Sequence, residues 1–334
     1  MHIDPVRSRR SWLWLLALGI ILLAGNARTG LWDQDEAAYA GFGRRMIETG
    51  DWLVPQYTWS EVHRKPPFHF WAIAVSQSIF GQNEWATRLP AAVAIWLCSL
   101  LLWRQASRLY GKETGRWAAL IFGTSALAQA FGHISLTDAS LLLWQVLAAL
   151  SLLRVLNDEP KAAWLFWLAL GMGALTKGPP VFIFAGGMGL LLLLFHPYRK
   201  KLFRLSFWLG LPLAFLPLLI WGWLAWQRDG GDFVRWLIDW YILKRVGGSV
   251  FGQSGPPGYH LVIMLLAFLP WLAALPFALK WFWKKAINRR AQEVEILAWL
   301  IAGWLPYELV SSKLPSYALA AHPALALMLA YGIA

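Results

Sequence analysis

Ionisable side chains stand at the ends of several apolar runs of this sequence, and their types suit chemistry on an anionic substrate. A carboxylate can take a proton from an attacking group, while cations can hold a phosphate and stabilise the charge that develops on it. The candidate residues are Asp35, Glu36, Lys65, Asp138, Lys177, Arg245 and Lys313. Lys65 is followed by two prolines, which present its cation on a stiff backbone.

Several of these assignments have a simpler alternative. Carboxylates at a membrane surface are often only solvated, which would account for Asp35 and Glu36. Asp138 opens an apolar run, where an aspartate can cap the N-terminus of a helix. A local ion pair with Lys313 would explain Glu308 as well as a functional role does.

The composition is typical of an integral membrane protein that crosses the bilayer many times. Of the 334 residues, 58% are hydrophobic and only 14% are charged, and the mean hydropathy is +0.47. Soluble domains carry roughly a quarter charged residues, so an ordinary soluble enzyme is excluded. The 24 tryptophans suit repeated crossings of the membrane–water boundary. Cys98 is the only cysteine, which excludes a disulfide scaffold.

The apolar runs predict an all-α, polytopic transmembrane helical bundle of about ten spans, since a span needs roughly 20 apolar residues and fewer where neighbouring helices help. The first run could instead be a signal peptide, because Gly25 and Ala27 loosely resemble a cleavage site, but a retained span is the simpler account. The predicted spans lie at about 12–26, 89–103, 117–133, 139–156, 162–175, 179–195, 205–226, 259–279, 296–310 and 317–333.

Basic residues in the short loops orient this bundle. With the N-terminus inside, most of the 30 lysines and arginines fall in cytoplasmic loops, which is the positive-inside pattern. The net charge of +12 is therefore explained without a nucleic-acid partner. In this orientation the candidate residues all fall on the outer side, whereas random loop residues would scatter over both faces. A transporter would instead place its charges at mid-membrane, often between inverted repeats, and the sequence has neither feature.

Two long outer loops, about 27–88 and 227–258, carry a helical periodicity. Tyr39, Phe42 and Met46 recur near one-turn spacing in the first loop. Both loops predict amphipathic helices lying in the interface, with apolar faces that either anchor the chain or face the substrate. The corresponding residues of the second loop are Phe233, Trp236, Leu237, Trp240, Tyr241 and Lys244.

The candidate residues lie within short motifs that follow one another along nearly the whole chain. The sequence thereby resembles the bacterial branch of the C-type membrane glycosyltransferases of the protein mannosyltransferase type (glycosyltransferase family 39). Within that family the pattern is most similar to the aminoarabinose transferases that modify lipid A. The motifs are Asp35-Glu36-Ala37-Ala38-Tyr39, Gly50-Asp51-Trp52-Leu53-Val54-Pro55, Lys65-Pro66-Pro67, Asn83-Glu84-Trp85-Ala86-Thr87-Arg88-Leu89-Pro90, Thr137-Asp138, Leu175-Thr176-Lys177-Gly178-Pro179, Phe268-Leu269-Pro270-Trp271 and Ser312-Lys313-Leu314-Pro315-Ser316-Tyr317.

The resemblance implies a C-type glycosyltransferase fold, a polyprenyl-phosphate sugar donor and an active site facing the periplasm of a bacterial inner membrane. It implies that Asp35 is the main catalytic carboxylate, with Asp138 as its partner and Lys65 as a phosphate ligand. Glu36 is a further catalytic candidate. The remaining candidates for substrate binding are Tyr39, Arg64, Lys177, Arg245 and Lys313.

Two positions depart from the family pattern. The family usually has Glu immediately before the Lys-Pro-Pro motif and a His before the entry of the eighth span, where this chain has Arg64 and Gln253. In some relatives that Glu and His hold a divalent metal, and a guanidinium has no lone pair to give to a metal. We therefore predict no metal or other cofactor, with Arg64 supplying the positive charge that a metal would bring.

These observations together predict an inverting glycosyltransferase. The expected reaction moves a sugar from polyprenyl phosphate to a lipid A-like lipid, or to a protein or other envelope acceptor, with membrane lipids as further partners. We expect one transmembrane glycosyltransferase domain over 1–334, without the soluble C-terminal domain of many relatives. The alternatives are a non-catalytic protein that only binds polyprenyl lipid, and a transporter or flippase.

Overall fold

The structure, a computed structural model, describes residues 5–32, 34–57, 64–240, 254–286 and 290–333. Within these ranges the regular structure is helical, apart from an isolated antiparallel bridge between Ser254 and Ser312. The α-helices are α1 (Pro5–Ala24), α2 (Gln34–Thr49), α3 (Phe68–Phe80), α4 (Glu84–Leu101), α5 (Ser107–Tyr110), α6 (Lys112–Thr124), α7 (Ala126–Gly132), α8 (Thr137–Leu156), α9 (Ala162–Lys177), α10 (Pro180–Phe195), α11 (Phe207–Asp229), α12 (Asp232–Ile238), α13 (Tyr259–Leu266), α14 (Leu275–Ala286), α15 (Ala291–Leu309) and α16 (His322–Ile333). Short turns of other type are the π segment Leu102–Ala106 and the 3-10 segments Arg199–Leu205, Trp271–Ala274 and Pro315–Ala321.

Four continuous helical stretches of the described residues are long and apolar enough to cross a membrane, and a bent pair forms a fifth candidate. The four are Glu84–Tyr110, Thr137–Leu156, Phe207–Asp229 and Pro315–Ile333. The bent pair, Tyr259–Leu266 and Trp271–Lys280, turns by 107°. Further apolar helices are shorter: Leu13–Ala24, Phe68–Phe80, Ala162–Lys177 and Pro180–Phe195. A helical membrane fold is thus confirmed, whereas the predicted count of about ten spans is not.

Burial separates the helices at the centre of the bundle from those at its rim. In α8, 78% of the apolar stretch is buried inside the protein, against 17% in α11. Trp208 of α11 is 94% exposed, and Trp223 is 62% exposed. A long apolar helix with so little protein cover suits contact with lipid tails. The central helix α8, by contrast, supplies the frame on which Asp138 is held.

The predicted amphipathic helix of the first loop forms, but its apolar face does not lie on the membrane. Tyr39, Phe42 and Met46 are buried against Phe70 and Ile73 of α3. The helix α3 was not predicted, because it is too short for an ordinary span and lies within the predicted loop. Because α3 supplies apolar partners, the face of α2 is satisfied by protein.

The second loop also contains a helix, α12, and residues 239–240 continue it as a π turn at the edge of the described residues. Phe233 is buried beside Trp221 of α11 and Val54 of the first loop. This cluster joins the two outer loops to each other. Tyr241 and Lys244 lie outside the described residues.

Candidate active site

The start of α2 is fixed by a sealed ion pair between Glu36 and Arg88. Arg88 Nε and Nη2 donate to the two carboxylate oxygens of Glu36 at 2.8 and 2.9 Å. The backbone N–H groups of Trp32 and Ser135 donate to the same carboxylate at 2.6 and 2.8 Å. The side chains of Glu36 and Arg88 are 0% and 2% exposed, so this carboxylate has no surface to offer a substrate.

The guanidinium of Arg88 also donates hydrogen bonds to the backbone. Its Nη1 donates to the carbonyl oxygens of Asn26 and Thr29, and its Nη2 donates to that of Gly30. Arg88 in α4 thereby ties the end of the first apolar helix to the start of α2. Arg88 belongs to one of the family-like motifs, but no role was predicted for it, whereas Glu36 was predicted to be catalytic. The saturated contacts of Glu36 argue instead for a structural task.

The charge state of Glu36 follows from these contacts. Burial alone would raise the pKa of the Glu36 carboxyl, but the hydrogen bonds from Arg88 and from the Ser135 and Trp32 amides hold its pKa below the usual range. Glu36 is therefore ionised at neutral pH, and its charge is balanced by Arg88. This pair sets where the next carboxylate on the chain, Asp35, stands.

Asp35 lies in the first turn of α2, beside Glu36 but half-buried rather than sealed. It precedes Tyr39 by four residues, so the two side chains share one face of the helix. Tyr39 is buried, and its hydroxyl oxygen accepts a hydrogen bond from the ammonium of Lys65. The Lys65 ammonium also lies 4.9 Å from the centre of the Tyr39 ring. The structure thus brings Asp35, Tyr39 and Lys65 to one region.

A second carboxylate–cation pair joins α8 to α9. Lys177 Nζ lies 2.7 Å from Asp138 Oδ1, and the two side chains are 13% and 12% exposed. The N-cap of α8 is Leu136, and Asp138 lies in the first turn, so the alternative that Asp138 caps this helix is wrong. An acidic residue in a first turn and a basic residue in a last turn both suit the helix dipole.

The ends of α9 and α10 explain why Lys177 points at this place. Gly178 follows α9 with a φ of +77°, a left-handed conformation that glycine adopts without strain. Pro179 and Pro180 then begin α10, where a missing backbone N–H has no cost. The turn is tight, and it leaves the Lys177 ammonium against Asp138.

Asp138 also connects the two groups of residues. Lys65 and the Ser316 hydroxyl are both near enough to stabilise the charge of Asp138. The Lys177 ammonium lies 5.8 Å from the centre of the Tyr317 ring. Two lysines, one aspartate and a tyrosine from four separate chain segments therefore converge. The positions of Ser316 and Tyr317 at this site were not predicted, although both residues stand in one of the family-like motifs.

A cavity of about 310 Å³ opens beside the Asp138–Lys177 pair. Its polar lining comprises Asp138, Lys177, Gln145, Ser312, Ser316 and Tyr317, and the rest of its wall is mainly apolar. The apolar part includes Leu141, Pro179, Pro180, Ile183, Pro306, Tyr307, Val310, Leu319 and Ala320. A mainly apolar wall that includes a cation suits a ligand with an anionic head and a hydrocarbon tail.

Lys313 is held by its own neighbourhood. Its ammonium donates to the carbonyl oxygens of Glu308 and Tyr307 at 2.6 and 3.3 Å, and it lies 3.4 Å from a carboxylate oxygen of Glu308. Glu308 in turn accepts from the Gly258 amide and the Trp304 indole. The local ion pair offered as the simpler interpretation is thus present, and Lys313 is only 6% exposed.

Arg64 stacks on the aromatic side chains of α12. Its guanidinium carbon lies 5.1 Å from the ring centre of Phe233 and 4.7 Å from that of Trp236. It lines a second, polar cavity of about 580 Å³ between the two outer loops, together with Arg45, Val54, Gln56, Tyr57, Asp229, Asp232, Phe233 and Trp236. Arg245 and Gln253 lie outside the described residues.

The residues present do not fit a metal ion at the position of Arg64. Its side chain has only N–H donors and no lone pair, and it is occupied by two aromatic faces. In the part of the chain that the structure describes, no three side chains of His, Cys, Asp and Glu cluster closely enough to hold a metal.

His69 is a buried polar residue to which the sequence analysis gave no role. Its Nδ1 lies 2.8 Å from the Ser140 hydroxyl, and its Nε2 lies 3.3 Å from the Ser135 hydroxyl. Ser140 is in α8 and His69 is in α3, so these contacts fix α3 and the preceding Lys65 loop relative to Asp138. No spacing in the sequence indicates this pairing, because the partners are about seventy residues apart.

Known proteins are similar to this chain in sequence and in fold. The family profile described as dolichyl-phosphate-mannose-protein mannosyltransferase matches residues 64–226. The undecaprenyl phosphate-alpha-4-amino-4-deoxy-L-arabinose arabinosyl transferase of Pseudomonas aeruginosa (strain UCBPP-PA14) is 29% identical over 332 residues, covering 97% of this chain and 60% of that protein. The protein of the same name from Edwardsiella ictaluri (strain 93-146) is 30% identical over 312 residues, covering 90% of this chain and 55% of that protein.

A solved structure gives the same result for the fold. The crystal structure of ArnT from Cupriavidus metallidurans bound to undecaprenyl phosphate matches with a TM-score of 0.85 at 22% identity, covering 96% of this chain and 59% of that chain. The resemblance to the C-type membrane glycosyltransferases, with aminoarabinose transferases among the similar proteins, is thus confirmed. The chain spans 55% to 60% of the length of these relatives.

Proposed function

We propose, from this resemblance and from the site geometry, that the chain is a membrane glycosyltransferase. It transfers a sugar from a polyprenyl-phosphate donor to a lipid A-like or other envelope acceptor. The observation that carries the proposal is the Asp138–Lys177 pair in the wall of a mainly apolar cavity, with Lys65 close by. A polyprenyl phosphate has the matching chemistry, because its anionic head is joined to a long hydrocarbon.

The two lysines are the donor's phosphate ligands in this proposal. When the sugar departs, negative charge builds on the phosphate oxygens, and ammonium groups already in place stabilise that charge without reorganisation. Tyr39 contacts the Lys65 ammonium and Asp138 contacts that of Lys177, so each cation is held in position before the donor binds. Lys313, bound to Glu308, holds the Ser316 segment and is a more distant member of the set.

Asp35 is the group that acts on the acceptor. An oxygen of the acceptor attacks the anomeric carbon, the new carbon–oxygen bond forms, and the bond from that carbon to the donor phosphate oxygen breaks. Asp35 takes the proton if the attacking group is a hydroxyl, and it orients the acceptor if that group is already ionised. Attack opposite the leaving phosphate inverts the configuration at the anomeric carbon. Arg64 has no lone pair to give to a metal, so it plays no part in holding one.

Glu36 and Arg88 position this machinery rather than take part in it. Their bonds fix the first turn of α2, which carries Asp35 and, one turn later, Tyr39. The proposed topology has about ten spans in one membrane domain, with this site on the periplasmic side of a bacterial inner membrane, as the basic short loops favour. Arg245 in the second loop belongs to the proposed substrate-binding set on the same topological ground.

The proposal is tested by transfer of sugar from a defined donor in reconstituted vesicles. Purified protein is supplied with polyprenyl-phosphate-linked aminoarabinose and lipid A, and the product is measured by mass spectrometry. Turnover is expected for the unmodified chain. Lys65→Met should lower turnover by about 10²–10³-fold and weaken donor binding, because the bound phosphate is already anionic.

Lys112→Met is the matched control, since Lys112 is an exposed lysine at the opposite end of the bundle. It should leave turnover unchanged. Donor binding without any turnover in the unmodified chain would instead support the non-catalytic, lipid-binding alternative. Absence of both would contradict the proposal.

A further inference from the structure

A third cavity, far from the Asp138 pair, lies between the first turns of α9 and α11. It measures about 270 Å³ and has a mixed lining. Lys161 and Arg204 are its basic members, and both are exposed. Trp164 and Leu209 form its apolar wall and are 58% and 66% exposed. The cavity is therefore open at the rim of the bundle and combines cations with an apolar surface.

The floor of this cavity is rigid. The Trp167 indole N–H donates to the carbonyl oxygen of Leu205 at 2.7 Å. At Gly210, a side chain would collide with the same indole, so α9 and α11 touch there. Trp167 is only 3% exposed. α9 and α11 are thus in contact on one side of the cavity, while its other side is open.

The chain around the mouth carries an excess of positive charge. Asp158 accepts from Lys201 at 2.7 Å and from Arg204 at 2.8 Å, which ties the turn after α8 to the 3-10 segment before α11. Arg154 is paired with Glu159 at 2.6 Å. These two acids face a larger set of bases, which comprises Arg154, Lys161, Arg199, Lys200, Lys201 and Arg204.

We propose that this cavity binds one anionic phospholipid from the leaflet on the basic side of the membrane. The headgroup phosphate lies between Lys161 and Arg204, and an acyl chain lies along Trp164 and Leu209. Basic pockets between transmembrane helices on the cytoplasmic side are suited to anionic headgroups. Charge complementarity selects this occupant, because Asp158 carries one negative charge for both Lys201 and Arg204 and Lys161 adds a further cation. A neutral lipid would use the apolar wall but leave this excess positive charge unbalanced. This site is independent of the proposed transferase chemistry.

Native mass spectrometry of the purified protein tests the site. Palmitoyl-oleoyl phosphatidylglycerol is added to the delipidated protein in detergent, and the bound fraction gives an apparent Kd. The double variant Lys161→Gln with Arg204→Gln should bind about 30-fold more weakly, since each cation near a membrane surface contributes about fivefold. Trp164→Ala, which keeps both charges, should weaken binding by a smaller factor.

The control removes two exposed charges elsewhere on the same side, Arg108→Gln with Lys112→Gln, and should leave the apparent Kd unchanged. Equal loss in this control would overturn the site, since diffuse charge would then explain the binding. Palmitoyl-oleoyl phosphatidylcholine binding as tightly as phosphatidylglycerol would also overturn it. So would equal competition by inorganic phosphate, which would indicate an anion site without a lipid. The transferase assay is not used, so neither proposal depends on the other.

Discussion

Two carboxylate–cation pairs stand in the same part of the molecule and differ in what surrounds them. The side chains of Glu36 and Arg88 are 0% and 2% exposed, whereas those of Asp138 and Lys177 are 12% and 13% exposed. The first carboxylate accepts four hydrogen bonds from the protein. The second pair borders a cavity that a ligand can enter.

The same residue types therefore serve two tasks, and access decides which. A sealed ion pair costs much desolvation and is weak grounds for net stability, but removing one partner leaves a buried charge uncompensated. The Glu36–Arg88 pair thus specifies where α2 begins. The Asp138–Lys177 pair can exchange part of its mutual contact for contact with a ligand, which is what a catalytic or binding pair needs.

The largest expected effect separates two neighbouring carboxylates on α2. Asp35→Asn keeps the shape of the side chain and removes its capacity to take a proton, so turnover should fall by about 10²–10⁴-fold. Donor binding should be retained, because the lysines hold the phosphate. In the folded protein, Glu36→Gln should keep turnover within about tenfold, because Glu36 is shielded from the substrate, although the uncompensated charge of Arg88 should lower stability. Initial rates and donor affinity in reconstituted vesicles measure both variants.

Wild-type turnover in Asp35→Asn would show that the catalytic carboxylate is wrongly assigned. If, at equal amounts of folded protein, Glu36→Gln lost more turnover than Asp35→Asn, then Glu36 and not Asp35 would be the more important carboxylate for catalysis.

The next prediction concerns the exposed pair. Lys177→Met should lower turnover by about 10²–10³-fold, as expected for loss of one preorganised charge-stabilising group. It should also weaken donor binding, while the melting temperature changes little because Lys65 still acts on Asp138. Asp138→Asn should show a milder loss than Asp35→Asn. If Lys177→Met unfolds the protein and leaves the turnover of the folded fraction intact, the pair is structural like that of Glu36.

The third prediction concerns the sealed pair and is read from stability. Arg88→Met leaves the Glu36 charge buried without its cation, which should lower the free energy of unfolding by about 3–5 kcal/mol. Arg116→Met breaks the exposed pair with Glu113 and should cost no more than about 1 kcal/mol. Denaturant unfolding in detergent measures both. Equal stability of the two variants would mean that Arg88 does not hold the start of α2.

Part of this site could be predicted from the sequence, and the reason is local. Asp35, Lys65, Asp138 and Lys177 stand at the edges of apolar runs, where charge is costly unless it is used. The helix of the first loop followed from the spacing of Tyr39, Phe42 and Met46. Spacing along one segment is a property of that segment alone, so it can be read without knowing the fold.

The partners could not be predicted, because each comes from a distant segment. Arg88 binds Glu36 across 52 positions, and His69 reaches Ser140 across 71. No periodicity encodes such pairs. The orientation of Arg64 toward Phe233 and Trp236 likewise depends on how two outer loops pack, which neither loop specifies alone. The count of about ten spans is not confirmed, since several apolar helices among the described residues are too short to qualify as spans by length.

The smallest expected effect is a change in how stability depends on pH. Contacts with Arg88 and two backbone amides outweigh burial and hold the pKa of Glu36 below its unfolded value of 4.5. A carboxyl with a lowered folded pKa contributes stability that is full above the unfolded pKa and is lost as the pH falls through the folded pKa. In that window the unfolded chain binds the proton and the folded chain does not. Glu36→Gln cannot titrate, so its stability should fall less steeply with acid, by at most about 1.4 kcal/mol per pH unit.

Melting temperatures recorded from about pH 7 down to about pH 3.5 measure this difference in slope, over the range in which carboxyls titrate. Glu48→Gln is the matched control, because Glu48 pairs with Arg44 on the exposed face of the same helix. Solvent and salt screen that pair, so its removal should leave the slope nearly unchanged. Identical slopes in the wild type and in Glu36→Gln would show that the fold does not depend on the Glu36 charge. The sealed pair would then hold α2 through shape and neutral hydrogen bonds, and its contrast with Asp138–Lys177 would rest on access alone.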